Sequence, residues 1–85
     1  MTAKKDLNVA GSTIFMTPGE MVKTLRELKG WSQLELSEQT GISQANISAI
    51  ENGRVEIGKQ RAIAFAEAFQ VHPASIMFAD YDVAA

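Results

Sequence analysis

The chain has 85 residues, 46% of them apolar and 21% charged, and a formal net charge of −2 at pH 7. That length holds one small domain that buries roughly 63% of its unfolded surface, which excludes a second core and makes association with another copy favourable. With no cysteine and a single histidine, His72, the composition excludes disulfides, thiolate nucleophiles, Cys-based zinc sites and multi-histidine metal centres.

Residues 1–16 show no helical periodicity. Two short apolar runs, 7–10 and 14–16, flank Gly11, Ser12 and Thr13, a pattern open to a weak hairpin or to a loose arm carrying Lys4 and Lys5. At Thr17 the signals change. Thr17, Pro18 and Glu20 combine an N-cap, a proline at the first helical position and a capping-box glutamate, and they predict a first helix over 18–29 that Gly30 stops. Its expected apolar positions are Met21, Val22, Leu25 and Leu28.

A second capping box, Ser32 with Glu35, opens a helix that Gly41 ends about eight residues later, with Leu34 and Leu36 supplying its apolar face. Ser43 caps a third short helix. Ile47 and Ile50 turn inward on it, Gln44, Ala45, Ser48 and Ala49 turn outward, and Asn52 and Gly53 close it. Neither of these short helices buries enough area alone. Crossed on each other and on the first helix, they make a compact helix-turn-helix.

After the loop 54–58, a fourth helix is predicted over about 59–70, with Ala62, Phe65, Ala66 and Phe69 at i, i+3, i+4 and i+7. A fifth begins at Pro73, with His72 outside it as a surface or capping residue and with Ile76 and Met77 returning to the core. The expected fold class is all-α, five helices without a sheet, with Leu34, Ile47, Ile50 and Phe65 as core residues and Trp31 packed against them. The expected organisation is an extension or arm over 1–16, a helix-turn-helix domain over 17–79 and a tail over 80–85. No apolar run approaches the roughly 20 residues of a membrane span, and no secretory leader is evident, so the expected location is cytoplasmic.

The net charge argues against a nucleic-acid partner until it is divided along the chain. Residues 1–30 carry five basic and three acidic groups, residues 31–61 three and four, and residues 62–85 none and three. The acidic excess therefore belongs to the C-terminal end. Between Ser43 and Ala49 there is no charge at all, and small or amide side chains occupy the outward positions. Such a helix fits a major groove about 12 Å wide.

The run Trp31, Ser32, Gln33, Leu34, Glu35, Leu36, continued by Gly41, Ile42, Ser43, Gln44 and by Ile47, Ile50, Glu51, Asn52, Gly53, resembles the Xre family of helix-turn-helix regulators, which includes Cro and the lambda-type repressors. The likeness covers about residues 18–78, including the stretch from Val71, His72 and Pro73 to Met77 and Phe78. It implies a lambda-repressor-like DNA-binding domain acting as a homodimer on double-stranded DNA, with the third helix, about 43–51, as the reading element. By position, the resemblance gives Gln33 a phosphate contact and a brace on the first glutamine of the reading helix, Gln44. It gives Ser43 a phosphate contact and Ala45 a base contact.

Gln44 donates and accepts together, as an adenine N6 and N7 require. Ala45 offers only a methyl, suited to a thymine methyl, so direct readout falls on Gln44, Asn46 and Ser48, with DNA shape supplying the rest. Asn52, Arg54, Lys59 and Arg61 stand where family members touch phosphate. No cofactor and no metal site is implied.

Three other functions compete. An antitoxin reading would have residues 1–16 grip a toxin protein while the same domain represses its own operon. An enzyme is disfavoured, because nothing pairs a nucleophile with a base. A pure protein-interaction domain is the third. A dimer interface is sought at Phe78 and Tyr81 or in the apolar runs of the first sixteen residues.

Overall fold

The computed structural model of the protein describes residues 16–78. Five helices follow in order, α1 (Pro18–Leu28), α2 (Gln33–Thr40), α3 (Gln44–Glu51), α4 (Gly58–Phe69) and α5 (Ala74–Met77), with no strand among the described residues. The N-terminal hairpin or arm with Lys4 and Lys5, and the tail with Tyr81, lie outside the described residues. No helix among those described is long and apolar enough to cross a membrane.

The caps follow the sequence signals. Glu20 N–H donates to Thr17 Oγ1 at 3.1 Å and Thr17 N–H to Glu20 Oε1 at 3.0 Å. The same reciprocal box joins Ser32 and Glu35, at 3.0 and 2.7 Å. Ser43 Oγ accepts from Asn46 N–H at 3.2 Å. Each cap satisfies helix-end donors that would otherwise be left to solvent, worth about 1 kcal/mol apiece.

The turn between α2 and α3 depends on Gly41, whose φ of +77° carries a left-handed residue at the helix end without a Cβ clash. Its N–H donates to Ser37 O at 2.8 Å. The Thr40 hydroxyl donates to Leu36 O and accepts from Ile42 N–H, which bridges the end of α2 to the turn. Ser43 then restarts the chain as a helix at once, which fixes how α3 leaves α2.

The core collects Val22 from α1, Leu36 from α2, Ile47 and Ile50 from α3, Ala62, Phe65, Ala66 and Phe69 from α4, and Ile76 from α5. The α4 stripe is the one its spacing predicts. Trp31 covers one edge of this core, stacked on Phe69 with ring centroids 5.9 Å apart. His72 closes the start of α5 by accepting the Ala74 N–H on Nδ1 at 3.0 Å.

Two apolar expectations fail. Leu34 is 55% exposed and Leu28 77% exposed. Leu34 and Leu36 are two positions apart on a helix, about 200° around its axis, so only one of them can face the core. In α1 the inward row is Gly19, Val22 and Arg26, at three- and four-residue spacing, which turns Leu28 away. Helix α1 ends at Leu28 with Lys29 as its cap, and α4 ends at Phe69, each one residue short of expectation.

Gly19 is buried against the end of α3. A Cβ on it would overlap the carbonyl oxygen of Ile50, so the two helices meet there at a distance only glycine allows.

Candidate nucleic-acid interface

Helix α3 has two unlike sides. Ile47, Ile50 and Glu51 are buried, whereas Ser43, Gln44, Ala45, Asn46 and Asn52 are exposed and Ser48 and Ala49 half-buried. At 100° per residue, Ala45, Ser48, Ala49 and Asn52 form the outward strip, with Gln44 and Asn46 on its two margins. Asn52 Nδ2 lies 3.4 Å from Ser48 Oγ, a contact within that strip. The outward side is low, polar and uncharged.

The acid at the end of α3 does not disturb this neutrality, because it is used internally. Glu51 Oε2 accepts from Arg26 Nε at 2.8 Å, and Oε1 accepts from Arg26 Nη2 at 3.1 Å, a two-pronged pair joining α3 to α1. The side chains of Arg26 and Glu51 are 12% and 3% exposed. Arg26 Nη1 also donates to Trp31 O at 2.8 Å, tying down the chain between α1 and α2. The hydrogen bond to Glu51 is the largest cause raising the Arg26 pKa above its ordinary value. Burial works against it, and the charges of Glu51 and Glu27 add to the rise. A raised cation pKa means the contribution is complete below the ordinary arginine range and fades only above it. Loss of the Arg26 proton therefore breaks the pair only at strongly alkaline pH.

Gln33, the first residue of α2, is half-buried, and its Nε2 donates to Glu51 Oε1 at 3.1 Å. The resemblance gives this side chain a brace on Gln44. In the structure its amide nitrogen has a different intramolecular acceptor, so α1, α2 and α3 converge on one carboxylate. Sequence reasoning does not name Arg26 as the partner of Glu51. The available signal is spacing: Arg26 follows Val22 by four residues, on the same helical row.

Of the remaining cations, Lys29 Nζ lies 5.9 Å from the centre of the Trp31 ring, and Arg61 Nη1 is 3.4 Å from Glu56 O. Arg54 and Lys59, flanking α3 and opening α4, are exposed and have no intramolecular ion pair or hydrogen bond through their side chains among the described residues. Two cations near an uncharged helix face make a modest electrostatic footprint.

An open groove of about 450 Å³ lies at the C-terminal end of α3, lined by Pro18, Gly19, Ile50, Val55, Ile57 and Met77 among others. It is mostly apolar and holds no nucleophile paired with a base. No group of three or more His, Cys, Asp or Glu suited to a metal ion occurs among the described residues.

The helix-turn-helix family matches residues 22–76 of the chain. No curated protein matches it. Among solved structures, the chain is similar to the P22 c2 repressor protein in complex with a synthetic operator, with 25% identity, 76% of this chain and 98% of that one covered, and a TM-score of 0.70. It is also similar to a hypothetical transcription factor, NHTF, from Neisseria, at 30% identity over 71% of this chain and 69% of that one, with a TM-score of 0.66. The master regulator for biofilm formation SinR, in complex with DNA, shares the fold at 24% identity, with 72% of this chain and 98% of that one covered and a TM-score of 0.68. The protein belongs to the helix-turn-helix family of Xre and lambda-type regulators and has the fold of a DNA-binding transcription regulator, not of an enzyme.

Proposed function

We propose that the protein is a sequence-specific transcriptional repressor that places α3 in the major groove of double-stranded DNA and acts as a homodimer in the cytoplasm. The observation that carries this reading is the two-sidedness of α3: its buried row anchors it to the core, and its outward side is uncharged and small enough to approach base edges. The similar P22 protein, solved with an operator, supports the same assignment.

Gln44 is the principal base reader, pairing with an adenine N6 and N7. Ala45 packs on a thymine methyl, and Asn46 and Ser48 add polar contacts within reach of the groove. Gln33, Ser43, Asn52, Arg54 and Lys59 hold phosphates and set the register. One α3 reads only a few base pairs, so specific affinity needs two half-sites about 34 Å apart, and a second copy of the chain supplies the second helix. The acidic total charge is no obstacle, because phosphate contact depends on a few placed donors.

The test begins with selection of bound fragments from a DNA pool, followed by titration of the recovered site. Two half-sites with a fixed spacing are expected, bound by two chains. Lys59→Ala should weaken all sequences alike and reduce the slope of log affinity against log salt by about 1 per half-site. If no fragment is enriched at low salt, the reading is wrong. The antitoxin alternative depends on residues 1–16, of which Met16 alone is described, and nothing in the described residues favours it.

A further inference from the structure

We infer that Glu51 is a positioning residue for DNA contact: it fixes which way the Gln33 amide is turned and so determines the group that α2 presents to a phosphate. The inference rests on the reading of Gln33 as a phosphate contact.

The chemistry starts from the carboxylate. Ionised, it only accepts hydrogen bonds. Arg26 occupies both of its oxygens from one side, at 2.8 and 3.1 Å, which holds the group in one plane. Gln33 Nε2 reaches Oε1 at 3.1 Å from α2. The opposite turn of the amide would set its carbonyl oxygen against a carboxylate oxygen, two acceptors without a proton between them. With Glu51 97% buried, water is not at hand to relieve that contact. One amide orientation is therefore selected.

An amide nitrogen carries two protons. The first is committed to Glu51, and the second stays available beside the N-terminal end of α2. Gln33 is thus held as a donor toward an anion, with its rotamer settled before DNA arrives. A solvent-exposed glutamine would have to give up rotamer freedom on binding, a cost avoided when the side chain is already ordered. The same buried acid that keeps negative charge away from the outward side of α3 also orders the neighbouring neutral donor. This explains how a chain with few exposed cations near α3 can still hold phosphate firmly.

The test is a double-mutant cycle on DNA affinity with Gln33→Met, Glu51→Gln and the pair, beside Gln44→Ala as a reference for docking. Folding of each variant is verified by circular dichroism at the temperature of the titration. Glu51→Gln leaves an amide that can turn either way and should lower affinity about fivefold, on specific and unrelated DNA alike, about as much as Gln33→Met. The double variant should bind no worse than Gln33→Met alone, because Glu51 acts through Gln33. Losses that multiply in the pair would overturn the proposal. If Gln44→Ala weakens binding and Gln33→Met does not, the positioning role is wrong and the docking stands. If neither weakens it, the docking itself is wrong.

A second measurement on the unmodified chain remains decisive if Glu51→Gln does not fold. In the NMR spectrum one side-chain amide proton of Gln33 should be displaced and slow to exchange relative to the exposed Gln39 and Gln70. Two protons that resonate and exchange like those of the exposed glutamines would contradict the inference.

Discussion

The two sides of α3 obey different rules. On the inner side, α3 meets α1 and α2 closely: a glycine is required beneath Ile50, and Glu51 is gripped by Arg26 and reached by Gln33. On the outer side, Ser43, Gln44, Ala45 and Asn46 touch little of the protein and are free to be chosen for what they present. The contrast teaches that geometry and recognition are separable on one eight-residue helix. Substitutions on the inner side should appear in stability, and those on the outer side in DNA preference.

The largest effect expected on the inner side is from Arg26→Met, which strands the buried Glu51 charge. A loss of about 3 kcal/mol in urea unfolding is predicted. Replacing Glu51 by Leu in the same chain should restore most of it, because a packed apolar pair carries no desolvation penalty. If Arg26→Met unfolds at the wild-type urea midpoint, the pair is not a structural joint.

Gly19→Ala comes next. Its methyl has to displace the Ile50 carbonyl, so α1 and α3 must move apart, at a cost of about 1–3 kcal/mol in thermal or urea unfolding. An unchanged midpoint would show that the two helices can separate freely.

On the outer side, Gln44→Ala should leave the unfolding midpoint where it is and cost about 1–3 kcal/mol in binding, with relaxed preference at one base pair in each half-site. A matching loss of stability would erase the distinction between the two sides.

The smallest effect lies away from α3. Gln70 is the one described non-glycine residue with a left-handed backbone, φ +61°, at the end of α4. Gln70→Gly relieves that conformation and should raise stability by about 1 kcal/mol without changing DNA affinity.

Much of this was legible in the amino-acid sequence, for identifiable reasons. Capping boxes at Thr17 and Ser32 and the turn glycine at Gly41 are local devices, decided within four residues, and they gave the order of the helices. The α4 stripe was readable because Phe65 and Phe69 leave little doubt about the buried face. Leu28 and Leu34 misled because leucine is apolar wherever it stands, whereas the inward row of α1 passes through Arg26. Spacing alone puts Arg26 on that row, but a charged residue there is intelligible only once Glu51, 25 residues later, is known to receive the guanidinium. The Gln33 contact was hidden for the same reason, since it joins two helices across 18 residues and depends on where a third side chain has already put the carboxylate. Gly19 reads as a weak helix residue in the sequence, and its use appears only when Ile50 is set against it.

The central claim, that the outward side of α3 reads bases through Gln44, is tested most directly by removing atoms from the DNA. Replacing each adenine of the selected operator by 7-deazaadenine deletes the N7 acceptor from the major groove and leaves base pairing intact. For the unmodified protein, affinity should fall about tenfold at one adenine per half-site, and Gln44→Ala should be indifferent at that same position. Equal tolerance of every 7-deazaadenine by the unmodified protein, or an undiminished response in Gln44→Ala, would contradict it.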